Sequence, residues 1–296
     1  MNEVLINPRA NALGTRNAIL SATGSGLYES RFCGPISIKT VIAGSATWET
    51  SEGRFEIAPG SALILHDNEE YTIAIDRLHH VETFVLFFER GFVEDAWRSL
   101  TTSSDALLDD SQTARPTFAE RVHFDSALVA EVQRAHQRMR DGEPLGASFY
   151  AAAIELVRAE FDLASRVARL PALRASTRDE LARRLRVATS FLHANLDRPI
   201  TIADAAREAC LSSFHFHRLF TTFHGTPPHR YLTRLRLERA RTLLAASDRP
   251  IADIVLACGF ESAGSFTTLF TKTFGVTPGK ARMKKSSGPC GATIAS

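Results

Sequence analysis

Between Ser213 and Phe223 the chain reads S-F-H-F-H-R-L-F-T-T-F, which sets two imidazoles, a guanidinium and several hydroxyls among aromatic rings. On a helix, Phe216, Leu219, Phe220 and Phe223 recur at spacings of 3, 4 and 7 and predict a buried stripe. Phe214, His217, Arg218 and Thr221 recur at the same spacings on another face. His215 and His217 lie about 200° apart around such a helix, so they cannot share a metal ion while the segment stays helical. The outward face suits the edges of DNA bases instead. An arginine can donate two bonds to guanine, a histidine can bond a base edge or a phosphate, and an aromatic ring can press on a thymine methyl.

A second copy of this arrangement follows. The segment I-A-D-A-A-R-E-A-C-L-S-S-F-H-F-H-R-L-F-T-T-F (202–223) is echoed by I-A-D-I-V-L-A-C-G-F-E-S-A-G-S-F-T-T-L-F-T-K-T-F (251–274). Each copy predicts a short helix, a small-residue turn and a second helix that stops at a glycine, Gly225 or Gly275. The second copy places Ala263, Gly264, Ser265, Thr267, Thr268 and Lys272 where the first has its ring and guanidinium. These shorter groups favour close backbone approach and phosphate contact over bidentate base reading.

The elements that must position these faces extend from about Asp179, all helical. Tyr231 to Ala246 predicts a connecting rod of roughly 24 Å, with Leu232, Leu235, Leu243 and Leu244 inward and Arg234, Arg236, Arg239 and Arg241 outward. Such a rod can seat two helices in successive major-groove segments on one side of a duplex, a bipartite site. Charge supports a polyanionic partner. Residues 1–173 carry 16 Lys and Arg against 24 Asp and Glu, whereas residues 174–296 carry 19 against 9, so a net charge of +2 conceals −8 followed by +10.

Upstream the hydrophobic period is two. The runs 36–42, 54–58, 71–75 and 81–88 read as short strands, divided by turn signals such as Pro59-Gly60 and Asp67-Asn68, and imply an antiparallel barrel or sandwich. After Gly91 the period lengthens to that of helices. Asp125 to Arg140 buries Leu128, Val129, Val132, Ala135 and Met139. Residues 147–168 place Phe149, Tyr150, Ala153, Ile154, Val157 and Phe161 on one side. This pair either covers the strands or joins a second copy of the chain. Residues 171–178 read as a linker, and the charge reverses there. The four cysteines are scattered without a C-x-x-C pair and read as small buried residues rather than disulfides or zinc ligands. No secretory leader or membrane-length apolar run is seen, so a cytoplasmic location is expected.

Taken together and in order, T-I-A-D-A-A-R-E-A-C-L-S (201–212), R-L-F (218–220), Y-L-T-R-L-R-L-E-R-A-R-T-L-L (231–244), I-A-D-I-V-L-A-C-G-F (251–260) and F-T-K-T-F-G-V-T-P (270–278) resemble the AraC/XylS family of bacterial transcription regulators. The resemblance covers about residues 184–282. It implies that Phe214, His217 and Arg218 touch DNA from the first helix, and Ala263, Gly264, Ser265 and Thr268 from the second. The segment G-R-F-E-I-A-P-G-S-A-L-I-L (53–65) looks like the cupin-type sensor barrel that often precedes this DNA-binding domain. The expected fold is therefore α+β in two domains. A cupin or jelly-roll-like antiparallel β-barrel over 1–120 is followed by a helical pair over 121–170 for dimerisation, and an all-α double helix-turn-helix domain occupies 179–285.

The resemblance further implies a small-molecule effector inside the barrel, a homodimer, and RNA polymerase as a protein partner. Tyr28, Trp48, His66 and Tyr71 are the candidate pocket residues, against the plainer reading that they belong to core or rim. Cupin enzymes carry a His-x-His pair on a strand that here reads I-S-I-K-T-V-I, and the adjacent His79 and His80 point to opposite sides. No metal site, cofactor or catalytic residue is expected. An enzyme with a regulatory helical domain and a DNA-organising protein without effector are the competing classes. The absence of a nucleophile turn, a phosphate loop or a metal triad weighs against the first.

Overall fold

The computed structural model describes residues 4–26, 28–51, 53–75, 80–101, 118–119, 121–124, 126–246 and 248–283. The chain divides into two compact units, Met1–Ser165 and Arg166–Ser296.

Among the described residues of the first unit ten strands form two sheets: β1 (Leu5–Ile6), β2 (Ala18–Gly24), β3 (Tyr28–Cys33), β4 (Ser37–Ala43), β5 (Ala46–Thr50), β6 (Gly53–Ile57), β7 (Ser61–Leu65), β8 (Glu70–Ala74), β9 (Val81–Phe87) and β10 (Val122–Phe124). The larger sheet runs β1-β2-β9-β4-β7-β10 and the smaller β3-β8-β5-β6. The strands thus form two open sheets rather than the closed barrel expected, and β1 pairs with β2 in parallel rather than antiparallel fashion. The expected turns are present, with Gly60 and Asn68 both at positive φ.

The larger sheet is buried on both faces, and residue parity assigns them. Ile38, Ala62, Ile64, Phe84 and Leu86 pack beneath three helices, α1 (Phe92–Thr101), α2 (Ala127–Arg140) and α3 (Gly146–Ala168). Their neighbours Val41, Leu63, Leu65 and Val81 turn the other way and meet Ala46, Trp48, Ile57 and Tyr71 of the smaller sheet. Helix α2 buries the stripe read from its sequence. Helix α3 is rotated from expectation: Phe149, Ala152, Ala153, Leu156 and Val157 are buried, while Tyr150 and Phe161 are exposed. The reason is that Ala152 and Leu156 complete a continuous 3-4 ridge with Phe149 and Ala153, and Trp97 of α1 stacks on Phe161 at the surface, 5.2 Å between centroids.

The second unit contains α4 (Ala175–Ala194), α5 (Ile202–Glu208), α6 (Ser213–His224), α7 (Pro228–Ala246), α8 (Ile251–Ala257), α9 (Ala263–Phe274) and α10 (Pro278–Met283). Helix α4 begins at Ala175, so residues 175–178, expected in the linker, form its first turn. Helices α4, α5 and α6 pack as one module, and α7 packs on α8, α9 and α10 as another. Phe216, Leu219, Phe220 and Phe223 are buried in the first, Phe266 and Phe270 in the second. Each such ring contributes roughly 1.5–3 kcal/mol by leaving water. Two of the cysteines depart from the expected burial. Cys33 and Cys210 are exposed and only Cys258 is enclosed, where desolvation pushes its thiol up to about 11. Cys290 lies outside the described residues.

Candidate nucleic-acid interface and sheet interior

The two copies of the repeat end their helices alike but open differently, since α8 follows Pro250 with no side-chain cap. Thr201 caps α5 through a reciprocal capping box with Asp204, whose carboxyl is held below its usual range by the Thr201 backbone and hydroxyl and by Arg207. Helix α5 ends with Cys210 at φ 51 and the bond Leu211 N–H to Ala206 O, 2.9 Å. Helix α8 ends with Gly259 at φ 70 and the bond Phe260 N–H to Val255 O, 3.1 Å. Both are left-handed terminations of one type. Gly259 has a further role, because a Cβ there would lie 2.9 Å from the Arg236 guanidinium, which passes over it to donate to Arg198 O at 2.8 Å. Arg236, expected to face outward, is therefore a half-buried strut, and burial lowers its basicity.

The second helices start and stop alike. The Ser212 hydroxyl accepts from His215 N–H and the Ser262 hydroxyl from Ser265 N–H. Gly225 (φ 69) and Gly275 (φ 72) end α6 and α9 in the left-handed conformation. Register is thereby set at both ends, and the outward face of each helix follows from which residues lie off the phenylalanine stripe.

On α6 Phe214, His217 and Arg218 share one exposed face, with Phe214 74% accessible, and His215 is exposed to one side of it. The His217 ring stacks on His229 of α7, 6.2 Å between centroids, which braces it from the neighbouring helix. His229 was not anticipated; it is a polar ring in the first turn of α7, directly after the Pro227-Pro228 pair. Thr221 is half-buried and its hydroxyl donates to His217 O at 2.7 Å. On α9, Ala263, Gly264, Ser265, Thr267, Thr268 and Lys272 are exposed, as is Leu269, which the sequence reading passed over although it lies off the Phe266 and Phe270 stripe. The Thr267 and Thr268 hydroxyls donate to Ala263 O (2.8 Å) and Gly264 O (3.0 Å). With those hydrogens committed to the helix backbone, what faces outward is chiefly methyl groups and hydroxyl lone pairs.

Behind α6 lies a packed set of rings. His193 Nε2 is 3.0 Å from the Tyr231 hydroxyl, His224 Nε2 is 2.9 Å from the Thr189 hydroxyl, and His224 packs on Phe220, Phe223 and Tyr231. Desolvation brings both imidazoles down to about 3, helped at His193 by His224 and at His224 by Arg166. Both rings are therefore neutral at neutral pH.

The candidate pocket residues of the first unit separate. Trp48 and Tyr71 are buried together between the sheets. His66 belongs to another network, in which Arg121 pairs with His66 and Glu69, and the His66 Nε2 accepts from Phe118 N–H at 3.2 Å. Tyr28 lies on the edge strand β3, and His79 falls outside the described residues. The residue that sequence reading missed is Lys39. It is only 1% exposed; its ammonium donates to the Tyr71 hydroxyl at 2.7 Å and lies 3.8 Å from the centre of the Phe87 ring. Its signal was a lysine sharing strand parity with Val41 in an otherwise apolar run. Among the described residues no group of three or more His, Cys, Asp or Glu side chains is placed to hold a metal ion, and no helix is long and apolar enough to cross a membrane.

Residues 36–157 match the model of the AraC-like ligand binding domain, and residues 205–284 match that of a helix-turn-helix domain. The HTH-type transcriptional regulator ArgR of Pseudomonas aeruginosa is 33% identical over 105 residues, which is 36% of this chain and 32% of that protein. The HTH-type transcriptional activator RhaS of Klebsiella pneumoniae is 36% identical over 95 residues, 32% of this chain and 34% of its own length. The alignments thus span about a third of these relatives. Among solved structures, an AraC-type DNA-binding domain protein from Chromobacterium violaceum is 34% identical, with 36% of this chain and 96% of that one covered and a TM-score of 0.34.

Proposed function

We propose that this chain, which belongs to the AraC-type transcriptional regulators, binds duplex DNA at a bipartite site through α6 and α9 and changes that binding when a small molecule enters its sheet-rich unit. The observation that carries the reading is the pair of identically capped helices, each with a phenylalanine stripe buried and the opposite face open to solvent. Arg218 is the guanine reader, His217 bonds a base edge or phosphate, and Phe214 meets a thymine methyl. On α9, Ala263, Thr267, Thr268 and Leu269 offer apolar contact to thymine methyls, Gly264 allows the backbone to approach, and Ser265 and Lys272 contact phosphate. Helix α7, nineteen residues and about 28 Å long, spaces the two readers. The net charge of +10 over residues 174–296 supports phosphate binding that weakens steeply with salt.

On this reading the protein works in the bacterial cytoplasm as a homodimer joined through α2 and α3, and meets RNA polymerase once on DNA. Its sheet-rich unit keeps the two-sheet core of a cupin-type sensor without catalysis. The test is selection of sites from a random duplex pool by the full chain at physiological salt. Two sequence blocks one helical turn apart, about 34 Å, are expected, and the mass of the complex counts the copies bound. Arg218→Ala should cost about 1–3 kcal/mol and relax preference at one base pair. An unselective pool, with parent and Arg218→Ala binding every duplex alike, would refute base reading by α6.

A further inference from the structure

We infer that His217 and His229 together form a binding site for one phosphodiester of the DNA backbone, and that filling this site takes up protons. The inference rests on the reading of α6 as a DNA-facing helix and gives His217 its ligand. The two imidazoles come from different helices, α6 and α7, and both are exposed. Their rings are nearly parallel, 16° apart in plane, with centroids separated by 6.2 Å. Among the described residues no hydrogen bond or ion pair engages a ring nitrogen of either one, whereas the imidazoles of His193 and His224 are both bonded. The hydroxyls nearest in sequence are otherwise committed. Thr221 and Thr233, each four residues on, donate to His217 O and His229 O at 2.7 and 2.8 Å.

The surroundings supply positive charge and no counter-ion. Residues 213–237 contain no Asp or Glu. The charged groups beside the rings on their own helices are Arg218 on α6 and Arg230 on α7, both exposed, with His215 to one side on α6. Helices α4 and α5 pack on the phenylalanine stripe of α6, and their acids Glu180 and Asp204 are paired with Arg183, Arg184 and Arg207. Glu238, the one acid of α7, pairs with Arg241. The other acids of the packed helices, Asp179 on α4, Glu208 on α5 and Asp253 on α8, make no ion pair with either ring, and α9 and α10 carry none. A phosphodiester brings one negative charge and two oxygens, one for each ring N–H. Protonation of the pair and phosphate binding therefore favour one another, and histidine is the side chain whose charge changes near neutral pH. By linkage, affinity for DNA rises as the pH falls and is lost as it rises. A base edge has no net charge with which to hold the pair protonated.

The experiment is fluorescence anisotropy of the full chain on a selected duplex at fixed salt, from pH 8.5 down to 6.5, with circular dichroism confirming that each variant is folded throughout. Parent affinity should rise about fivefold or more across this range through proton uptake. Its salt dependence at pH 6.5 should be steeper by about one phosphate contact. His217→Gln and His229→Gln should each remove about half of the rise or more, and together all of it. His229→Lys, which fixes the charge, should bind more tightly at pH 8.5 than His229→Gln, an outcome that a ring needed only for bracing would not give. His215→Gln should keep the full rise. Replacing phosphates one at a time by neutral methylphosphonate should abolish the rise at one position under α6. An affinity that does not change with pH overturns the inference. So does a rise that survives both glutamine exchanges, or one that no methylphosphonate removes. If Arg218→Ala still weakens binding in those cases, DNA reading by α6 stands without the phosphate site. If Arg218→Ala and His217→Gln both bind every duplex like the parent, that reading falls as well.

Discussion

Acid should destabilise the second unit at a pH where its carboxylates are still ionised, and the cause is two histidines. His193 and His224 are packed among Tyr231, Phe220, Phe223 and Thr189, near Arg166, and desolvation holds both imidazoles at about 3. In the unfolded chain each titrates near 6.5. The stability carried by the neutral rings is therefore complete above pH 6.5. It is lost as the pH falls from there toward 3, because in that window only the unfolded chain takes up the protons. Between pH 7 and pH 5 each histidine costs about 2 kcal/mol by this linkage. The two together cost about 3–4 kcal/mol, less than additive because each ring shapes the other's field. Glu180, brought down to about 2 by hydrogen bonds from Arg183 and Arg184, and Asp204, lowered at its capping box, also favour the folded state at neutral pH. Their contributions fade only below the ordinary carboxylate range, so they do not enter this window.

The assay is urea unfolding of residues 166–283 followed by far-ultraviolet ellipticity at pH 7, 6 and 5, beside His224→Gln. The parent should lose several kcal/mol and the variant about half as much, from a lower starting stability. Proton spectra should show both imidazoles neutral in the folded state at pH 5. Folded-state titration of either ring near 6.5, or equal pH slopes in parent and variant, would refute the reasoning.

Three exchanges involving glycine probe the exposed face of α9 and its scaffold. Gly264→Ala at the second position of α9 adds a methyl that would lie no closer than 3.8 Å to the Ser262 hydroxyl. The melting temperature should hold or rise, by up to about 1 kcal/mol of helix propensity, while affinity for the selected duplex falls about tenfold or more. Unchanged affinity would show that the α9 backbone does not approach the bases. Cys210→Gly relieves a non-glycine left-handed residue, worth about 1–2 kcal/mol, against a glycine entropy cost of roughly 0.5–1 kcal/mol. A net gain of about 0.5–1 kcal/mol is expected by calorimetry. Gly259→Ala at the matching position should destabilise, being both left-handed and against Arg236. Destabilisation by Cys210→Gly would contradict this account.

The parts of this molecule legible in the sequence are those specified within a turn or two of chain. Helices α6, α7, α8 and α9 could be placed because phenylalanine spacing, serine caps and terminal glycines are local signals. The exposed residues of α6 and α9 followed, since exposure on a short helix is what remains when the stripe is removed. Sheet topology was not legible. Whether β3 joins β8 or β2 depends on contacts far apart in the chain, and a two-sheet arrangement and a closed barrel share the same period of two. Tyr150 and Phe161 were misplaced for a related reason: an apolar ring at a surface position, such as Phe161 stacked on Trp97, satisfies a helical pattern without being buried. Lys39 escaped because a lysine in a strand is ordinarily read as facing water.

The two copies of the repeat kept their framework and diverged in their faces, and that division bears on how the protein would discriminate among sequences. Ser212 and Ser262, Cys210 and Gly259, Leu211 and Phe260, Gly225 and Gly275 occupy the same conformational roles, so the two second helices are held alike. Helix α6 then projects an aromatic ring, an imidazole and a guanidinium on one face, groups that reach, donate and carry charge. Helix α9 projects alanine, glycine, threonines whose hydroxyl hydrogens are already bonded to its own backbone, and leucine. Hydrogen-bond readout rejects a wrong base by stranding donors, whereas methyl contact rejects it by lost packing, a smaller difference in free energy. On this argument the half-site under α6 is the stringent one and the half-site under α9 a thymine-rich, more permissive block. A bipartite site with unequal information in its two halves is thus what a duplicated scaffold with these two surfaces should select.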